Sequence, residues 1–318
     1  MRARGPNPVA MMSPLDPRTG RTRQGLPVSR NRQPDADLTG HVARLFVTII
    51  DQPEGHTTSD FLLNETPFIR VLPRGHWEAE VAPGEWRHFT GAVLFGAQAR
   101  PQRVRCTGPM AVAGFAIRPG GWFGLFDVAS HALADRVVAL GDVAPRLAEA
   151  MAAACAEVDS IDATFAAMEA GLRAHLATRD WPAPHPAMAA FEQIARNDPL
   201  RRVADIAGGL QMNSIRFSRT VRRHFGHPPK TVMRRARFLD VAAVMRGLAV
   251  PSADELAGLR FYDQSHLNRE FRLFTGMTPA RFDKAVTPLL TPGLESRQQR
   301  KLDDLAMLAP GERAPWLA

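Results

Sequence analysis

From His41 to about Arg118 the chain runs in short apolar stretches, "VARLFVTII", "PFIRVLP", "HWEAEVAPG", "HFTGAVLFGA" and "MAVAGFAIRPGG", separated by Pro and Gly. Runs of this length, rich in β-branched and aromatic residues and bounded by turn formers, predict a compact β-rich domain. The rhythm changes near residue 119: "GGWFGLFD" predicts a short helix after a strand. Ala-rich amphipathic stretches at 143–157 and 161–177 then predict a helical hairpin. Three prolines in the eight residues of "RDWPAPHP", 179–186, mark a domain boundary. Residues 1–38 hold Pro, Gly, Arg and polar residues without an apolar period, which predicts a disordered tail. Met11 and Met12 leave a later translation start open. The expected organisation is that tail, a β-rich domain with C-terminal helices over 39–180, an all-helical domain over 185–285 and a C-terminal tail over 286–318. As a fold class this is a multidomain α+β protein.

The helical segment contains an internal repeat. A shift of 50 residues places Ala207-Gly208 on Ala257-Gly258, Arg219 on Arg269, Arg222 on Arg272, Gly226 on Gly276 and Pro229 on Pro279. Each half reads as helix, short turn, helix. In the second, Ser252 and Glu255 have the spacing of a capping box, "DELAGL" supplies a short helix, and Asp263 is placed to cap a longer one from Gln264 to Thr275. Gly276 suits its end, and Thr278-Pro279 the start of another helix. At 100° per residue Leu267, Phe271 and Phe274 fall within about 60° of one another and form the expected buried stripe. In the first half Phe217, Val221 and Phe225 do the same. The opposite faces carry Ser265, Asn268, Arg269 and Arg272, and Ile215, Ser218, Arg219 and Arg222.

Charge sharpens this division. The net charge is +8, yet residues 39–184 hold twelve Arg against sixteen acids, whereas residues 185–285 hold seventeen Lys and Arg against nine. A positive field gathered into one folded segment suits a polyanion, through attraction and counterion release. A helix fits the major groove of DNA, where Arg can bond guanine bidentately, Asn adenine, and an apolar side chain the thymine methyl. The two cysteines, Cys106 and Cys155, lack the spacing of a zinc site or redox pair and read as buried thiols in a reducing compartment. No window has the length of apolar sequence needed for a membrane span or a secretory signal, so the expected location is cytoplasmic.

Residues 190–285, and above all "GLRFYDQSHLNREFRLFTGMTPARF", resemble the DNA-binding domain of the AraC/XylS family of bacterial transcription regulators. The first unit, "VADIAGGLQMNSIRFSRTVRRHFGHPPK", is less close, with Gln211 standing where the family commonly has Gly. The resemblance implies two helix-turn-helix units joined by a long helix at about 229–248, which reach successive major grooves on one face of double-stranded DNA. It implies base-reading positions at Ser214, Ile215, Ser218 and Arg219 and at Gln264, Ser265, Asn268 and Arg269. Arg222 and Arg272, further along each helix, are expected on phosphate. For an activator, RNA polymerase is the expected further partner.

"FAIRPGGWFGLF" and "ADRVVALGDV" in residues 41–180 resemble a β-rich N-terminal domain found in some members, which implies a sensing or dimerising role. A small-molecule effector and a homodimer are the partners that role would bring. His76, Glu78 and His88 are suitable donors for a metal in a cupin-like barrel, the basis of an alternative reading as a metal-binding or enzymatic domain fused to a DNA-localising module. Their spacing fits no strong motif, and strand or surface positions are the simpler expectation, with no metal or other cofactor. Arg118 before Pro119-Gly120-Gly121 suits either an anion at a helix start or a structural turn. Trp77, Trp86 and Trp122 suit either a pocket or a core. No nucleophile–base–acid set, Walker loop or dinucleotide fingerprint occurs, so no catalytic activity is expected.

Overall fold

The computed structural model describes residues 29–50, 52–156, 160–249 and 264–306. Its eight strands are β1 (Ser29–Arg32), β2 (Val42–Ile50), β3 (Thr57–Leu62), β4 (Phe68–Ala82), β5 (Glu85–His88), β6 (Ala92–Phe95), β7 (Gln102–Ile117) and β8 (Val137–Ala139). They pair antiparallel in one sheet of order β1-β2-β7-β4-β6-β8, with β3 added to β7 and β5 to β4. The two long strands make this possible. The first half of β7 pairs with β3, from Gln102 opposite Leu62 to Thr107 opposite Thr57, and its second half pairs with β2. Register breaks between Val71 and His76, with Gly75 at φ +99°, bend β4 and let the sheet curl.

Alternation along the strands sorts side chains onto two buried faces. Leu45, Val47, Ile69, Val71, Phe115 and Ile117 face one core, while Phe46, Phe68, Trp77, Phe95 and Val112 face the other. Burial on both sides is why the strands read as nearly continuous apolar runs. The first face is covered by the 3-10 turn Pro119–Gly124 and by a hairpin of α1 (Pro145–Ala154) and α2 (Ile161–Leu176), through Trp122, Leu147, Met151, Phe165, Met168 and Leu172. Cys106 and Cys155 are free and buried, and burial pushes their thiols up to about 11 and about 12.

Residues 180–185 have no regular structure, and the helical half follows: α3 (Pro186–Asn197), α4 (Val203–Gly209), α5 (Ser214–Phe225), α6 (Pro229–Met245), α7 (Gln264–Thr275), α8 (Pro279–Lys284) and α9 (Thr291–Ala306). The expected capping box at Ser252 and Glu255, the "DELAGL" helix and the Asp263 cap lie outside the described residues.

Two expectations are corrected. Residues 29–38, assigned to a disordered tail, form β1 and a 3-10 turn at Ala36–Leu38. Edge pairing and charge hold them: Arg32 pairs with Glu169, and Arg173 with Asp35 and Asp37 at 2.6 and 2.8 Å. An edge strand fixed by backbone bonds and ion pairs needs no apolar period. Residues 286–306, assigned to a tail, pack as a strap leading into α9, with Leu290 and Leu294 buried beside Phe61 and Leu63 of the sheet domain and Phe238 of α6.

A buried charge cluster joins these parts. Glu65, in the connection from β3 to β4, takes Arg297 and Arg300 of α9 on its carboxylate, and Arg235 of α6 on its backbone carbonyl. Arg297 also bonds Asp240 at 3.0 Å, and Arg196 of α3 pairs with Glu192 and with Asp304 at 3.2 and 2.9 Å. Burial pushes the Glu65 carboxyl up, but the surrounding guanidiniums of Arg297, Arg300, Arg196 and Arg235 win and hold it well below the usual carboxylate range. Its stabilising effect is therefore present above the ordinary carboxylate pKa and lost as pH falls below it. Removing one member of a buried pair strands its partners, so Glu65→Gln is expected to cost about 3–5 kcal/mol. The midpoint of urea unfolding measures this, and a variant as stable as the parent would show that the cluster does not hold the two halves together.

Candidate nucleic-acid interface

The first helix-turn-helix unit is α4, a turn and α5. Gln211 in the turn has φ +54°, the left-handed conformation that glycine adopts freely and that costs another residue roughly 1–2 kcal/mol. The turn thus keeps its shape despite lacking glycine. Asn213 caps α5 by accepting a 2.8 Å bond from the Arg216 amide. Phe217, Val221 and Phe225 are buried as the stripe predicts, packed with Phe191 of α3 and Ile206 of α4. Gly226 ends the helix at φ +79°.

The described part of the second unit packs and ends in the same way. Phe271 and Phe274 of α7 are fully buried and Leu267 packs beside them. Gly276 ends α7 at φ +72°, and Thr278 caps α8 by accepting from the Arg281 amide at 3.3 Å. α6 ties the units into one body: Val232 and Met233 belong to the first core, and Phe238, Leu239 and Ala242 to the second. Phe238 lies 5.0 Å from both Phe271 and Phe274. Arg234 of α6 pairs with Glu270 of α7, a buried carboxylate that the sequence pattern does not single out.

The expected base-reading residues fall on the outer faces. Ser214, Ile215 and Arg219 are exposed, Ile215 to 75%, and Ser218 is half-buried beside them. Ser265 and Arg269 are exposed and Asn268 is half-buried, while Gln264 is placed in the first turn of α7. Arg222 and Arg272, the expected phosphate contacts, are exposed one turn further on. The cations of this half do not all face outward, however. Arg196 and Arg235 are almost wholly buried, Arg234 is engaged by Glu270 and Arg202 by Asp205. Net charge therefore overstates the field available to DNA.

The back of this body sits on the sheet domain. His224 Nδ1 lies 2.9 Å from the Pro119 carbonyl, His227 Nε2 lies 3.0 Å from the Ala97 carbonyl, and Arg223 lies over the Phe123 ring. Burial pushes His224 down to about 4, so its ring is neutral and its Nδ1–H donates to Pro119. Arg118 serves the same junction, bonding the Thr39 carbonyl and the Glu192 carboxylate at 2.7 and 3.1 Å. Its role is the structural turn.

The remaining signals in the sheet domain resolve into packing. The rings of His76 and His88 stack 4.1 Å apart, His88 Nδ1 lies 3.1 Å from the Trp77 carbonyl, and Glu78 pairs with Arg105 at 3.0 Å. Among the described residues no group of three or more His, Cys, Asp or Glu side chains could hold a metal ion. Trp77 and Trp122 are buried in separate cores, and Trp86 stacks under Arg105. No helix among the described residues is long and apolar enough to cross a membrane.

Residues 206–285 match the family model described as a helix-turn-helix domain, over the same stretch that resembles the AraC/XylS signature. This part of the chain thus carries a helix-turn-helix domain. No curated protein matches the chain. Among solved structures, an apo ToxT variant from Vibrio cholerae strain SCE256 is 13% identical with a TM-score of 0.42, covering 75% of this chain and 96% of that one. Unsaturated fatty acid-bound wild-type ToxT from the same strain gives 14%, 0.43, 77% and 97%. The AraC-like transcriptional activator CuxR gives 13%, 0.27, 67% and 86%.

The two helix-ending glycines differ in surroundings. A Cβ on Gly276 would meet nothing within 4 Å, whereas one on Gly226 would lie 2.6 Å from Ala97 Cβ of the sheet domain. Gly276→Ala should cost only the left-handed backbone term, roughly 1–2 kcal/mol. Gly226→Ala should cost more, since it also forces the domains apart. Urea midpoints of both variants provide the comparison, and equal losses would argue against docking at Ala97 in solution.

Proposed function

We propose that the chain is a sequence-specific regulator that reads two adjacent major-groove segments of a promoter or operator, with its sheet domain controlling the reader. The observation that carries this reading is the paired orientation of α5 and α7. Each buries its aromatic stripe against a body spanned by α6, and each turns a Ser- and Arg-bearing face to solvent. Such faces suit successive major grooves, one helical turn or about 34 Å apart.

In this reading Arg219 and Arg269 bond guanine edges, Asn268 bonds adenine and Ile215 touches a thymine methyl. Ser214, Ser218, Gln264 and Ser265 complete the base-facing rows. Arg222 and Arg272 hold phosphate and set register without carrying sequence information. Control by the sheet domain is supported by its contacts with the back of α5 and with α6, which leave the reading rows uncovered.

Two arginines on one helix separate specificity from affinity. Arg269→Ala should cost about 1–3 kcal/mol on the cognate duplex and flatten discrimination at one base pair. Arg272→Ala should weaken all duplexes alike and reduce the salt slope by roughly one. Titration against cognate, single-base-substituted and random duplexes at several salt concentrations distinguishes them. Loss of cognate and random affinity by the same factor in Arg269→Ala would remove it from the base readers.

A further inference from the structure

Two half-buried arginines in the curl of the sheet lack the carboxylate partners that Arg297 and Arg300 have. Arg44 of β2 and Arg70 of β4 stand across β7, opposite Ala116 and Gly114 respectively. Both line one hollow with Asn31, Phe46, Asn64, Phe68 and Met110, and no acidic residue lines it. Arg70 lies among the rings of Phe68, Phe46 and Phe95, 5.0–5.8 Å from each. Arg44 makes one long bond, 3.4 Å, to the Asn31 carbonyl oxygen. The Nε atoms of both are buried without a hydrogen-bond partner, and neither arginine has an ion pair among the described residues. Burial pushes them down to about 9 and about 10. Glu65 lies near Arg44, but its carboxylate is taken by Arg297 and Arg300.

One wall of the hollow comes from the strap. Pro288, Leu289, Pro292 and Gly293 of the strap close it, leaving about 30 Å³, space for one or two waters. The strap has no acidic side chain between residues 286 and 293 and is moored by the Leu289 and Leu290 amides, which donate to Asp60 at 2.7 and 3.2 Å. It fills the apolar space and brings no carboxylate to either guanidinium.

We propose that Arg44 and Arg70 form a binding site for a small amphipathic anion, whose carboxylate or phosphate oxygens engage both guanidiniums while its apolar part takes the place of Leu289 and the flanking prolines. Planar guanidinium forks suit either head group, and the ring-lined walls suit an apolar body. The site goes beyond the DNA-reading role and does not depend on it. Its ligand competes with the strap, and the strap continues into α9, which carries Arg297 and Arg300 to Glu65. Occupancy is thereby linked to the charge cluster between the domains.

The test is calorimetry on the full chain with 4-methylpentanoate, which joins a leucine-like branch to a carboxylate, with 3-methylbutyl phosphate, and with neutral 4-methylpentanamide. At least one anion should bind at least about tenfold more tightly than the amide, and the two anions identify the head group. Arg44→Gln and Arg70→Gln should each weaken the anion by about tenfold or more and leave DNA affinity without ligand unchanged, which separates this site from the reader. Leu289→Gly, which loosens the strap, should tighten the anion. Equal binding of amide and anions overturns the proposal on the unmodified protein, whatever the arginine variants do to folding. So does anion affinity indifferent to both arginines, or failure of both anions to bind even the Leu289→Gly protein.

Discussion

The arrangement turns on the Glu65 carboxylate, withdrawn from water and surrounded by arginines from three helices. A carboxylate in that position is costly alone, and so is each guanidinium, so the members are stable only when all are present. That requirement is directional in a way apolar packing is not. Leu290 and Leu294 could slide against Phe61 and Phe238 with small loss, whereas Arg297 must meet Glu65 and Asp240 together. The cluster therefore fixes where the strap and α9 lie relative to sheet and reader, and the orphan arginines beneath the strap follow from that placement.

The helical half was the part most legible in the sequence, because helical periodicity and a repeat act within one short segment. Phe217, Val221 and Phe225, and Phe271 and Phe274, are buried as spacing predicts, and the Arg pairs at equivalent positions face outward. The glycine caps were equally readable, since a glycine directly after an amphipathic stripe marks the left-handed residue that ends a helix. The β-rich character of residues 41–118 was also legible, but not the pairing. Only the structure shows β7 serving two neighbours in turn, because antiparallel register depends on contacts far apart in sequence.

What escaped the pattern is mostly charge put to structural use. Arg196, Arg235 and Arg297 look like solvated cations in a linear reading, and their partners Glu192, Glu65 and Asp240 look like ordinary surface acids. α9 was hidden for the same reason: the inner stripe of the strap and α9 runs Leu290, Leu294, Arg297, and an arginine breaks an apolar period just where burial requires it. β1 was hidden because an edge strand held by Arg32 and by Asp35 and Asp37 has no hydrophobic signature. Long-range ion pairs leave no local rhythm to detect.

The same placement lets the sheet domain bear on the helical half without covering the outer faces that the proposed function assigns to DNA. Its contacts fall on His224, Gly226 and His227 at the end of α5 and on Arg235 in α6, all behind the row from Ser214 to Arg219. α6 is also the element whose Val232 and Phe238 belong to the two separate cores. A shift of the sheet domain would thus act on the shaft between the two cores and not on the outer faces of α5 and α7. Because packed cores resist continuous deformation, such a shift alters the spacing or tilt of α5 and α7 as units. In the proposed reading two helices that enter adjacent grooves together are sensitive to that spacing, so a constraint on the shaft would govern binding while the outer faces of α5 and α7 stay uncovered.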